Sequence, residues 1–349
     1  MRRSSQTALL GPLALAALLA VAPVAAKAET AADFYKGRTV SLIAGFPPGG
    51  GYDTYVRVLA RHFGRFLPGQ PTVVASNMPG AGSMVAANNI YAKYAPDGLA
   101  IGMFASSALM EPLIGTKSAL FDPQKFSWVG SMSQDVAFCG AWSHPGVPKT
   151  FDEMLKTETI IGGGAPAAIT YQHPMVLKNT LKANFKVIQG YKGTRDINIA
   201  MQRGEVNGTC GMFASSVKAQ YHQEVQDGRM KLFIQMGSKR SDEFGKIPSV
   251  FDYAKTDEDR AILQFHFGQL LLGRPLAGPP GIPADRLAAL RTAMLATFKD
   301  KAFVADCAKQ RLECADPKSG EELTALVSRA YGAPADVRKR LIGMYQVTK

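Results

Sequence analysis

The residues best placed to do chemistry in this sequence are glycines rather than acids, bases or nucleophiles. Phe46-Pro47-Pro48-Gly49-Gly50-Gly51-Tyr52-Asp53 follows an apolar, β-branched run, Thr39 to Gly45. It precedes a stretch from about Asp53 to Phe66 in which Val56, Leu59, Ala60, Phe63 and Leu67 recur at helical spacing. Three consecutive glycines leave backbone N–H groups unshielded, and the helix that follows turns its positive end toward them, so the loop can hold an anion. The same residues would also make a tight turn with Asp53 as N-cap, but the glycines exceed what a turn needs. No Gly-Lys-Ser/Thr follows, which excludes a phosphate loop. A second turn, Gly80-Ala81-Gly82-Ser83-Met84-Val85, matches half of a dinucleotide fingerprint, lacks the third small residue, and reads as a helix start.

Catalytic constellations are missing. The chain contains no G-x-S-x-G, no H-E-x-x-H and no paired carboxylate motif. His62, His144, His173, His222 and His266 are scattered singly, each reading as a surface or satisfied core residue. Cys139, Cys210, Cys307 and Cys314 form no C-x-x-C and no zinc-like cluster, so neither a metal nor a cofactor is expected. An even count in an exported chain favours disulfides, with three pairings open. Cys139 and Cys210 both sit in strand-like segments, AFCGAWS and GTCGMF, and could lie side by side on one sheet. Cys307 and Cys314 would stand about 10 Å apart on a continuous helix, so they can bridge only if it ends near Gln310.

Strands alternating with amphipathic helices position these loops. After the first unit come strand Thr72 to Ser76 with a helix near Ser83 to Tyr94, strand Leu99 to Ala105, strand Thr159 to Gly164 with a helix near Thr170 to Leu181, and strand Phe185 to Gly190 with a helix near Asp196 to Arg203. Lys231 to Gly237 and Phe265 to Gly273 read as further strands, the latter ended by the breaker run RPLAGPPGIP. Helices are expected near Ala284 to Lys299, Lys301 to Gln310, Gly320 to Tyr331 and Ala335 to Tyr345. The pattern implies an α/β class with mainly parallel sheets.

The first 28 residues read as a secretory signal: Arg2 and Arg3, an apolar stretch from Ala8 to Ala26 broken by Pro12 and Pro23, then Ala26-Lys27-Ala28. No cysteine follows the cleavage site, which argues against a lipid anchor. Removing Arg2, Arg3 and Lys27 takes the net charge from +12 to +9 over the remaining 321 residues. A basic surface can steer anions toward a cleft, and the scatter of cations without interleaved aromatics argues against nucleic acid. This length exceeds one core of typical size, so two domains are expected.

Several segments in this order resemble the solute receptors of tripartite tricarboxylate transporters, the Bug/TctC family: VSLIAGFPPGGGYDTYVRVLARHF, SNMPGAGSMVAANNIY, Ala95-Pro96-Asp97-Gly98, GYKGTRDINIAMQRGEVNG and PPGIPADRLAAL. The resemblance implies a two-lobed periplasmic-binding-protein (Venus flytrap) fold; the strands near Met103 to Ala105 and Phe233 to Met236 flank the segment between them, so after the export signal at 1–28 lobe one is expected at 29–104 and 234–349 and lobe two at 105–233. It implies a periplasmic, non-enzymatic receptor with a small organic carboxylate as ligand and a membrane permease of the tripartite tricarboxylate type as partner. A ligand-presenting receptor for a sensor kinase and an enzyme on a bilobal scaffold are the alternatives. Carried over by position, the resemblance assigns ligand binding to Phe46, Pro47, Pro48, Gly49, Gly50, Gly51, Tyr52 and Asp53, and in lobe two to Gly163, Gly164, Ala165, Ala167, Ala168, Thr170, Tyr191 and Lys192. The second loop departs from the family's common Gly-Asn-Gly-Ser/Thr run. Cys210-Gly211-Met212-Phe213 replaces the acidic residue that often ends the lobe-two strand, which disfavours an amino-acid ligand.

Overall fold

The computed structural model describes residues 29–134, 136–332 and 335–345, so the expected signal at 1–28 lies outside the described residues. The strands are β1 Thr39–Ala44, β2 Thr72–Asn77, β3 Ala100–Met103, β4 Ser127–Ser131, β5 Ala137–Trp142, β6 Thr159–Gly162, β7 Phe185–Ile188, β8 Gly208–Phe213, β9 Met230–Met236, β10 Pro275–Gly278 and β11 Lys318–Ser319. They form two sheets, ordered β11-β4-β10-β3-β1-β2 and β7-β6-β8-β5-β9.

Both sheets are mixed, which corrects the expectation of mainly parallel sheets. β1 runs parallel to β2 and β3, and β6 parallel to β7 and β8. β10 pairs antiparallel with both β3 and β4, β11 antiparallel with β4, and β5 antiparallel with β8 and β9. The parallel pairs come from the strand–helix units visible in the sequence. The antiparallel strands enter from distant parts of the chain, and strand alternation along the sequence carries no trace of such partners.

β10 shows the effect most clearly. It lies inside the run RPLAGPPGIP, expected to be only a breaker, yet it sits between β3 and β4. Gly273 makes the entry possible: at φ 58° it carries the chain so close to Ser133 that a Cβ would stand 1.6 Å from that residue's carbonyl oxygen. The preceding segment, expected as a strand from Phe265 to Gly273, is helical at Asp257–Gly268 and Gln269–Leu272. A capping box of Thr256 and Asp259, with Asp257, Glu258 and Asp259 in the first turn, starts that helix. Ile262, Leu263, His266 and Phe267 then form its buried face.

The two sheets draw their strands from both sides of residues 104 and 233. β4, expected in 105–233 and so in lobe two, completes the first sheet, while β9 belongs wholly to the second. The chain therefore passes between sheets after Ser131 and returns after Met236. The helix Asp257–Gly268, assigned with lobe one, packs on the second-sheet helix Ile169–Leu181, and so does Ala335–Tyr345.

The helix Gly51–Phe63 buries Tyr55, Val56, Val58, Leu59 and Phe63 against the first sheet, each full burial contributing about 1.5–3 kcal/mol. In the second sheet Cys139 lies opposite Cys210 on β5 and β8, and a 2.04 Å disulfide joins them. Cys307 is bonded to Cys314, and the chain turns back because its helix stops at Lys309 and Arg311 takes a left-handed conformation.

Candidate functional site

A cavity of about 790 Å³ opens where loops of the two sheets face each other. The first-sheet side supplies Phe46 to Tyr52, apart from Gly49, and the turn Pro79 to Ser83; the second supplies Gly164, Ala165, Ala168 to Thr170, Gly190 to Asp196 and the end of β8. The wall is largely aromatic and apolar, with Phe46 stacked on Tyr52 at 4.6 Å and Tyr191, Met212 and Phe213 facing them.

Among the helices that begin at this wall are Gly51–Phe63, Ile169–Leu181 and Thr194–Gln202. Their N-caps are Gly50, Ala168 and Gly193, and none makes a side-chain cap hydrogen bond. The first N–H groups of a helix have no partner within it, so these turns converge positive ends and donors on one space. Gly50 takes the N-cap position that the turn reading gave to Asp53, because the helix starts two residues earlier than its apolar spacing suggests.

Asp53 braces the loop from behind. Its carboxylate accepts hydrogen bonds from the Gly49 N–H at 2.9 Å, from Arg57 Nε at 2.9 Å and from Asn77 Nδ2 at 2.8 Å. Asn77 Nδ2 also donates to the Phe46 carbonyl at 2.9 Å, tying the loop to the end of β2. Burial pushes the Asp53 carboxyl up, but the hydrogen bonds from Arg57, Gly49 and Asn77 and the Arg57 charge outweigh it and hold the pKa below the ordinary carboxylate value. Gly49, at φ 82°, therefore spends its N–H on Asp53, and neither residue lines the cavity.

The second loop is held by backbone and one hydroxyl. Thr170 Oγ1 accepts from the Gly164 N–H at 3.0 Å, and the Ala168 N–H donates to the Ala165 carbonyl at 2.8 Å. Gly164, Ala165, Ala168, Thr170, Tyr191 and Lys192 line the cavity. Gly163 and Ala167 do not: Gly163 donates to the Ile188 carbonyl at the sheet, and Ala167 is buried with its carbonyl accepting from Ser107 Oγ at 2.8 Å. Across this contact Gly82, at φ 63°, lies so near Ala167 and Ala168 that a Cβ would come within 2.5 Å of the Ala168 nitrogen. The turn Gly80 to Ser83 thus forms cavity wall and contact between the two sides, a role that its reading as a helix start omits.

Two exposed cations, Lys192 and Arg195, stand at the rim with Asp196 beside them. A third, Arg274, is wholly buried in the wall. Sequence reasoning missed Arg274 because it stands in the proline- and glycine-rich run, with no spacing that ties it to the distant loops. Among the described residues no group of three or more His, Cys, Asp or Glu could hold a metal ion, and no helix is long and apolar enough to cross a membrane.

The sequence pattern of the tripartite tricarboxylate transporter family receptor matches residues 56–327. The chain belongs to this receptor family. Such proteins are periplasmic solute-binding receptors, a class of binding proteins rather than enzymes. The receptor is 28% identical over 260 residues to the "UPF0065 protein in gbd 5'region" of Cupriavidus necator, covering 72% of this chain and 74% of that one. Its fold is similar to that of the periplasmic binding protein BugD, at 19% identity and a TM-score of 0.70 over 88% of this chain and 98% of that one. It is similar as well to MatC from Rhodopseudomonas palustris, solved with bound malate, at 18% identity and a TM-score of 0.69 over 88% and 99% of the two chains.

Proposed function

We propose that the receptor captures a small organic carboxylate in the cavity, closes its two sides around it as a Venus flytrap does, and delivers it to a membrane permease of the tripartite tricarboxylate type. The observation that carries this reading is the convergence of three helix N-termini, none capped by a side chain, on one cavity. Each hydrogen bond to a charged group contributes roughly 1.5–3 kcal/mol. Three or four donors therefore approach the roughly 8 kcal/mol of micromolar affinity. The bound malate of MatC is in keeping with this ligand class. In this reading the ligand-contacting set is Phe46 to Tyr52 without Gly49, then Gly164, Ala165, Ala168 and Thr170, and Tyr191 with Lys192, while residues 1–28 act as a cleaved export signal. One lobe is built on each sheet, and closure bends the crossings after Ser131 and after Met236.

The test is a thermal-shift screen of the purified mature chain against mono-, di- and tricarboxylates and aromatic acids, followed by calorimetric titration of the hits. At least one acid should raise the melting temperature in a concentration-dependent way and titrate with one site per chain. Silence across all the acids overturns the reading, and turnover of a bound acid revives an enzyme.

A further inference from the structure

Arg274 is a cation buried without an anion. It stands at the entry to β10 and is fully inaccessible to solvent. Its guanidinium lies over the rings of Tyr55, Phe213 and Tyr52 at 4.3, 4.8 and 4.9 Å. Nη2 donates to Ser215 Oγ at 3.1 Å and to Ser216 Oγ at 3.0 Å, both on the far side of the cleft. Nη1 and Nε have no hydrogen-bond partner, and no carboxylate among the described residues forms an ion pair with Arg274. Aromatic faces and hydroxyls offset part of the cost of burying a charge, but a guanidinium is satisfied by an anion that takes its planar fork of donors.

Gly51 brings the cavity wall directly against this guanidinium. This residue opens the Gly51–Phe63 helix at the cavity wall. A Cβ on it would stand 3.2 and 3.3 Å from Arg274 Nη2 and Nη1 and 2.6 Å from Ser216 Oγ. With no side chain at Gly51, nothing of that residue but backbone stands between the guanidinium and the turn that opens the helix.

We infer that Arg274 is the specificity-determining cation of the cleft: it and the first turn of the Gly51–Phe63 helix together receive one carboxylate of the ligand, and the full negative charge of that group is what the receptor selects. The backbone N–H groups donate to any oxygen, charged or neutral, whereas an unpaired buried guanidinium discriminates between a carboxylate and its isosteric amide. The inference rests on the carboxylate reading above and adds the residue that enforces it.

Malate, succinate, adipate and citrate, each beside its neutral amide, are the probes, titrated into the wild type and into Arg274→Gln and Arg274→Lys. Wild type should bind at least one acid about tenfold to a hundredfold more tightly than its amide. In Arg274→Gln the acid should weaken by a similar factor while the amide changes little, so the preference collapses. Arg274→Lys, which keeps charge without the fork, should retain part of it. A purely structural arginine would instead weaken acid and amide together, and that result, or an undiminished preference in Arg274→Gln, overturns the inference. If none of the acids binds the wild type, the carboxylate reading fails along with it. Should the variants not fold, the wild-type complex decides: a ligand carboxylate oxygen within about 3.2 Å of Nη1 or Nη2 supports the assignment. All ligand carboxylates lying well beyond hydrogen-bond reach of Arg274 would refute it.

Discussion

The two glycine-rich loops face each other across one cavity, yet they are held by different means. The first is pinned by a buried carboxylate, Asp53, that gathers Gly49, Arg57 and Asn77 and through Asn77 reaches Phe46. The second is held by its own backbone and the Thr170 hydroxyl on Gly164. On that second side the buried polar pair is neutral: His173 and His266 share a 2.9 Å hydrogen bond between the helices Ile169–Leu181 and Asp257–Gly268. A charged brace concentrates its energy in one residue, and the alternative spreads it over many small contacts. The first side should therefore be sensitive to single substitutions, and the second to pH.

The largest expected effect sharpens that difference. Burial holds His173 neutral down to about 3 and keeps His266 well below its ordinary value, with the His173 charge acting against it too. The unfolded chain takes up these protons near pH 6.5 while the folded chain does not. Stability is thus whole above pH 6.5 and declines as pH falls below it, by about 1.4 kcal/mol per pH unit for His173, or about 2 kcal/mol at pH 5, and His266 adds to the loss in the same direction. Denaturant melts from pH 7.5 to 5 should show this slope, and His266→Gln should flatten it; a slope unchanged by that substitution would locate the acid sensitivity elsewhere. Asp53 titrates in the other window: its lowered pKa contributes stability that is present above about pH 3.9 and lost as pH falls through the folded value.

Asp53→Ala comes next. Losing several charge-assisted hydrogen bonds and leaving Asn77 and the Gly49 N–H without their acceptor should cost about 3 kcal/mol in denaturant melts at pH 7. Thr170→Val removes one neutral hydrogen bond and should cost about 1 kcal/mol. Equal costs for the two would erase the distinction between the loops. The smallest stability effect is at Gly50, whose φ of −89° suits any residue and where a Cβ meets nothing closer than 3.8 Å. Gly50→Val should change stability by less than about 0.5 kcal/mol, yet weaken carboxylate binding because its branches enter the cleft between Pro47 and Thr194. Undiminished affinity by calorimetry would mean that the anion sits away from this helix start.

Much of the receptor is readable along the chain because the signals are local. β1, the glycines after it and the amphipathic run from Val56 to Phe63 announce a strand, an anion-competent turn and a helix within thirty residues or so. The Gly164 loop needed the family resemblance, since its alanines carry no chemistry of their own. Helix caps such as Thr256 with Asp259 were also present in the sequence, and weighing them against the apolar run would have placed a helix rather than a strand at Phe265.

The sequence by itself determined the α/β character, the first loop with its open N–H groups, the helices that follow Pro283 and the receptor family. Only the tertiary structure decided that Pro275–Gly278 enters the first sheet between β3 and β4, that Ser127–Ser131 belongs with it, and that Asp53 braces the loop without lining the cavity. The same holds for the two buried groups with the strongest chemical character. Arg274 stands more than two hundred residues from Gly51, and His266 is separated by 93 residues from His173. Periodicity and capping act over a few residues, where the chain's own geometry fixes who meets whom. Strand register and the pairing of buried polar groups are settled only when distant surfaces are excluded from water together, and each then takes the partner that the packed core leaves within reach.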